Sequence, residues 1–179
     1  MSVPTCVIAG AGPGLGLAVA ERYAREGFAA YVIDCEPRNI DSVETAIHAI
    51  ETRGGSCDVL VYNAFVDDTR ISHAELADVL ALIRRRVAAM RAKQGGALVF
   101  AAYDFPQSET NTLREFVDAL ADEVEPAGIR VGIVTIDGAL PTSAAELASI
   151  ADVYWDVFFC AEHQHRRERR VRTRRPFRA

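Results

Sequence analysis

The sequence predicts a three-layer α/β/α fold built on a doubly wound parallel sheet of about six strands. Three observations carry this expectation. Strand-like and helix-like segments alternate along the whole of the 179 residues. The strand segments are continuous apolar runs, the pattern of strands buried on both faces by helices. Four glycines, Gly10, Gly12, Gly14 and Gly16, cluster where the first strand meets the first helix, a junction at which backbone must turn tightly and stay free of Cβ atoms.

Taken in order, residues 3–9 are an apolar run that ends in the glycines. Helical spacing starts at Leu15 and continues through Val19 and Tyr23 until Gly27 stops it. Residues 29–34 read as a second strand ending in Asp34. A helix opens at Asp41 with Val43, Ile47 and Ile50 on one face, and Gly54-Gly55 ends it. Residues 58–62 are a third strand. Leu76, Val79, Leu80, Ile83, Val87 and Met90 then mark one apolar stripe of a long helix over 74–94, with Arg84, Arg85 and Arg86 mostly off it. Residues 97–102 are a fourth strand, and Leu113, Phe116, Val117, Leu120 and Val124 mark another helix. Residues 129–136 are a fifth strand and 143–160 a last helix. Residues 170–177 are read as a final edge strand, where arginines discourage edge-to-edge pairing.

Length and composition fit one domain, with residues 1–165 forming its body and 166–179 an Arg-rich tail. From Arg166 onward there are eight arginines against the single acid Glu168, whereas the whole chain carries a net charge of −5. With only Phe177 available to stack on a base, that tail reads as a solvated segment attracted to an acidic body rather than a nucleic-acid arm. No run of 18 apolar residues exists. The first residues lack a positive segment before the glycines, so no signal peptide is expected. Cys6, Cys35, Cys57 and Cys160 show no CxxC spacing and read as reduced thiols in a cytoplasmic protein.

The glycine turn carries the strongest chemical signal. A pyrophosphate sits on free N–H groups at a helix N-terminus, and only backbone without Cβ atoms lets it approach. On that reasoning a Cβ at Gly14 would block the phosphate. Asp34, at the end of the second strand, would accept hydrogen bonds from a ribose diol and repel a 2′-phosphate, which favours NAD over NADP; a solvent-facing acid is the plain alternative.

Here the chain resembles the short-chain dehydrogenase/reductase family. Ala9-Gly10-(x)3-Gly14-Leu15-Gly16 is similar to the family's TGxxxGIG turn. Asp58 to Ala64 resembles its NNAG strand end, with Tyr62 for the first Asn and Phe65 for the Gly. Leu120-Ala121-Asp122-Glu123-Val124 through Gly128-Ile129-Arg130-Val131 resembles LAxELxxxGIRV, and Asp137-Gly138-(x)3-Thr142 resembles PGxxxT. The matches keep the family's order over about residues 3–142. The resemblance implies a Rossmann-like fold that binds NAD(H) through Gly10, Gly12, Gly14, Leu15, Gly16, Asp34, Asn63, Ala64 and Thr142, with Thr142 at the nicotinamide end. It also implies a homodimer or partner subunit, joined through the helices at 74–94 and 111–124, where Arg84, Arg85, Arg86 and Arg91 oppose Glu115, Asp118 and Asp122.

The resemblance stops at the chemistry. The family's Tyr-x-x-x-Lys pair is absent: none of the five tyrosines has Lys four residues on, and Lys93 is the only lysine. Aligned on Glu123, Pro106 and Thr110 hold those two places. The chain is also shorter than a typical member. Residues 29–41 read as the family's second strand fused to the end of its third, which removes part of the adenine pocket. Tyr103, at the end of the fourth strand, is the weak candidate for a replacement acid, tuned by Lys93 or an arginine, against a plain loop aromatic. His48 and His73 read as solvated, His163 and His165 lack a third metal ligand, and Asp67-Asp68 reads as a turn or cap, so no metal site is expected. Three functions fit these residues: a divergent NAD(H)-linked oxidoreductase, a catalytically inactive binding module or partner subunit, and a non-redox lyase, isomerase or cyclase on the same scaffold.

Overall fold

The computed structural model describes residues 3–10, 12–33, 39–53, 55–65, 73–103, 107–159 and 167–173. Six strands and five helices alternate: β1 (Thr5–Ala9), α1 (Gly12–Arg25), β2 (Ala29–Ile33), α2 (Ile40–Thr52), β3 (Cys57–Phe65), α3 (His73–Lys93), β4 (Gly96–Tyr103), α4 (Gln107–Val124), β5 (Ile129–Asp137), α5 (Ala144–Phe159) and β6 (Glu168–Arg172), with a short 3-10 turn at Glu125–Ala127. The strands form one sheet in the order β2-β1-β3-β4-β5-β6, and every neighbouring pair is parallel. This is the six-stranded doubly wound sheet the sequence predicts. Between Gly27 and Asp58 the described residues hold the single strand β2, as the fused reading of 29–41 requires.

Each sheet face has its own core because strand side chains alternate. Cys6, Ile8, Val59, Val61, Val99 and Val134 meet Leu15, Val19 and Tyr23 of α1 and Tyr154, Val157 and Phe158 of α5. Val7, Leu60, Leu98, Phe100 and Val131 meet α2, α3 and α4 through Val43, Ile47, Val79, Ile83, Val117 and Leu120. Each such Val, Leu, Ile or Phe, fully buried, contributes about 1.5–3 kcal/mol. Close approach matters on the first face: a Cβ at Gly132 on β5 would come within 2.6 Å of Val157, so only glycine admits α5 at this distance. Gly128, at φ +74° before β5, sits where a Cβ would meet the Gln94 carbonyl at 3.0 Å.

The apolar stripe of α3 differs from expectation in one place. Leu82 is fully buried, whereas Leu80 is half-buried and turns into the groove between α3 and α4. The stripe runs Val79, Leu82, Ile83, Val87, Met90, the tighter i, i+3, i+4 choice. The last strand also differs, starting at Glu168 rather than Arg170. Glu168 anchors it: Thr135 Oγ1 donates to Glu168 Oε1 at 2.8 Å, and Arg114 donates to both carboxylate oxygens at 2.8 Å.

Candidate functional site

The carboxyl ends of β1 and β3 meet at the topological switch point, because α1 leaves β1 over one face and α3 leaves β3 over the other. The glycine turn lies there. Gly10 follows β1 at φ +82°, a left-handed conformation that costs other residues about 1–2 kcal/mol. The chain then enters α1 at Gly12, earlier than the expected start at Leu15. A Cβ on Gly16 would stand 3.3 Å from the Gly10 carbonyl oxygen and 3.4 Å from Val32 Cγ1, so this glycine lets the helix rest directly on β1 and β2. Leu15 is buried beneath. The first turn of α1 contains no acid, which leaves its positive end unopposed and suited to an anion. A Cβ on Gly14 would stand 3.4 Å from Leu147 Cδ1 of α5, an ordinary contact distance.

Beside the turn, Asn63 is buried near the end of β3. Its Oδ1 accepts a hydrogen bond from the Tyr154 hydroxyl at 3.1 Å, and its Nδ2 has no partner among the described residues. Such an amide hydrogen is costly to leave unpaired. Tyr154 is itself buried on α5, and its carbonyl accepts from the Tyr23 hydroxyl at 3.3 Å. Tyr154 thus ties α5 to α1 and to the end of β3, a role its sequence position does not reveal. Ala64 follows Asn63 on β3.

At the end of β5, Gly138 adopts φ +112°, and the Thr173 amide closes the loop onto the Asp137 carbonyl at 2.8 Å. Thr142 is exposed on the segment leading into α5. Ser143 caps that helix, accepting from the Glu146 amide at 3.3 Å and donating to Glu146 Oε2 at 2.6 Å. The crest thus brings Gly10, Gly12, Gly14, Leu15, Gly16, Asn63, Ala64 and Thr142 to one end of the sheet. Asp34, Asp67, Asp68, Asp104, Pro106, His163 and His165 lie outside the described residues. Thr110 lies in α4 and Tyr103 ends β4 opposite Ile136. Among the described residues no three His, Cys, Asp or Glu side chains come together as a metal cluster.

Lys93 corrects one expectation. It lies at the amino end of the sheet, where its Nζ donates to Asp58 Oδ1 at 2.9 Å and to the Cys57 carbonyl at 3.2 Å. Asp58 also accepts from the Thr5 amide at 2.8 Å and from Ser56 Oγ at 2.9 Å. Asp58 stands level with the first residue of β4, and Tyr103 is the last, about 23 Å away at the rise of a strand. The one lysine of the chain therefore cannot tune Tyr103. Burial opposes the charged form of Asp58, but the Thr5 amide, Lys93 and Ser56 outweigh it and hold its pKa below the usual range.

Five of the seven charges expected to join two copies, Arg85, Arg86, Arg91, Asp118 and Asp122, form ion pairs within the chain. Arg85 pairs with Glu44 and Arg86 with Glu51 on α2, Arg91 with Glu123 on α4, and Arg167 with Asp118, Asp122 and Glu125.

No protein-family model matches the chain, and no curated protein matches it. Solved structures do. A 3-ketoacyl-(acyl-carrier-protein) reductase from Brucella melitensis, complexed with NADH, superposes with a TM-score of 0.71 at 15% identity, covering 95% of this chain and 96% of that one. A short-chain dehydrogenase from Streptomyces avermitilis gives 0.66 at 18% identity over 97% and 89%. A short-chain dehydrogenase/reductase-family oxidoreductase from Brucella ovis, with a partially ordered NAD, gives 0.62 at 16% over 97% and 100%. The fold of this chain is therefore the Rossmann-like fold of the short-chain dehydrogenases, matched nearly end to end.

Proposed function

We propose that the chain is a divergent NAD(H)-binding oxidoreductase on the short-chain dehydrogenase scaffold, working without that family's Tyr-Lys proton relay. The observation that carries the reading is the left-handed Gly10 leading into an acid-free α1 N-terminus at the β1/β3 switch point. The residues present fit a pyrophosphate. Gly10, Gly12 and Gly14 offer it open backbone N–H groups free of Cβ atoms, Leu15 and Gly16 seat the helix behind them, and Asn63, Ala64 and Thr142 face the rest of the dinucleotide. Asp34 takes the ribose diol, which selects NAD(H) over its phosphorylated form. The nicotinamide, when bound, supplies hydride transfer. The two solved relatives that hold NADH or NAD support this choice. Free Cys6 and Cys57 suit a reducing compartment such as the cytoplasm.

A second reading has its own observation. With Lys93 bonded at the far end of the sheet, no lysine serves the crest, which favours a binding module that holds the nucleotide without turnover. A panel of ketones, aldehydes and alcohols, followed at the nicotinamide absorbance band, separates the two. The oxidoreductase reading expects cofactor-dependent turnover, slower than a Tyr-Lys enzyme by about 10²–10⁴-fold, the usual worth of a positioned proton donor. Tyr103→Phe then tests the replacement acid. No turnover of any substrate, with the nucleotide still bound, contradicts the oxidoreductase and leaves the binding module.

A further inference from the structure

We propose that β2 is a self-association edge, at which a second copy of this chain pairs antiparallel about a two-fold axis passing beside Tyr31. The sheet ends in two unlike strands. At one edge β6 carries Glu168, Arg169, Arg170 and Arg172; pairing two such edges would oppose like charges. At the other edge β2 is Ala29-Ala30-Tyr31-Val32-Ile33, and its own residues include none of the charges or prolines that commonly guard an open edge.

The exposed apolar surface collects at the same place. The large hydrophobic side chains exposed among the described residues are Val3, Leu17 at 54%, Tyr31 at 43% and Val32 at 39%. Tyr31 and Val32 are on β2 itself. Gly16 of α1 rests on Val32, and Leu17 is the next residue. Val3 precedes Pro4, whose carbonyl accepts from the Ala29 amide at 2.8 Å. That bond also sets the phase of the strand. Ala29, Tyr31 and Ile33 direct their backbone groups to β1, so Ala30 and Val32 direct theirs outward.

A second copy is the occupant this edge fits. Turned about a two-fold axis beside Tyr31, Ala30 of one copy meets Val32 of the other in a hydrogen-bonded pair, and the reverse pair forms symmetrically. Four N–H to C=O bonds result, and they use every outward group of Ala30 and Val32. Tyr31 meets its own counterpart at the non-hydrogen-bonded position, where opposed side chains come closest. Neutral strand faces neutral strand. The arrangement is closed, whereas β2 against β6 would propagate head to tail as an open filament. None of this depends on a bound nucleotide.

The test is sedimentation of the full chain over a concentration series. The wild type is expected to shift with concentration from 19.5 kDa to twice that mass. Tyr31→Lys sets two ammonium groups face to face and weakens the dimer about tenfold; Tyr31→Glu does the same with carboxylates. Mixing the two variants restores a dimer, because Lys then faces Glu. Hydrogen exchange of the wild type needs no variant: the Ala30 and Val32 amides gain protection as concentration rises. A wild-type monomer at hundreds of micromolar, open-ended assembly, a dimer untouched by Tyr31→Lys in folded protein, or Ala30 and Val32 amides that exchange freely in the dimer would each overturn the proposal.

Discussion

Gly10 and Tyr154 show what single residues contribute at the crest. Gly10 holds φ +82°, and Gly10→Ala is expected to destabilise the fold by about 1–2 kcal/mol, the cost of the left-handed region to an L-residue. The same change re-aims the turn before α1, so NADH affinity should fall more than stability does; equal affinity in the folded variant would remove Gly10 from the site. Tyr154→Phe keeps the ring and strips the hydrogen bond from Asn63 Oδ1. Leaving a buried acceptor unpaired costs about 1–3 kcal/mol, readable in a denaturant midpoint; an unchanged midpoint would show that the bond carries no weight. The glycines were legible in the sequence because their spacing states a backbone demand. Tyr154 was not, since the amide it meets lies 91 residues away and no local pattern announces such a pair.

At the scale of elements, two carboxylates fasten strands of the sheet to one another and to helices. Asp58 joins β1, β3 and the end of α3. Glu168 joins β6 to β5 and α4. Burial raises the pKa of both, but hydrogen bonds win: Arg114 and Thr135 hold Glu168 low, as the Thr5 amide, Lys93 and Ser56 hold Asp58. A carboxyl with a depressed folded pKa adds stability that is fully present above its unfolded value, near 3.9–4.3, and is lost as pH falls through the folded one. Stability should therefore drop as pH falls below about 4. The double variant Asp58→Asn, Glu168→Gln should flatten that dependence while lowering stability at neutral pH. An unaltered acid slope in thermal melts would contradict it. The elements themselves were largely readable, because runs such as residues 129–136 and 97–102 are apolar enough to be buried on both faces. Their fastenings were not: Lys93 looks like an unspent cation in the sequence, and Glu168 like the odd acid in an arginine tail. Only the fold brings Asp58 and Arg114 to them.

For the whole molecule, the doubly wound sheet places the glycine turn at one end and the only lysine at the other. This separation is why the scaffold was legible and the chemistry was not. The alternation of elements fixes a crest, whereas around Tyr103 the sequence lacks the family motifs that would name a proton donor. The central claim is that the crest binds NAD(H) through the glycine turn, with Asp34 refusing a 2′-phosphate. The most direct measurement is a calorimetric titration of the wild-type chain with NADH and, separately, with NADPH. The account predicts saturable one-to-one binding of NADH and markedly weaker binding of NADPH. No heat of binding with either nucleotide would contradict the claim that the glycine turn is a dinucleotide site, and NADPH binding as tight as NADH would contradict the role given to Asp34.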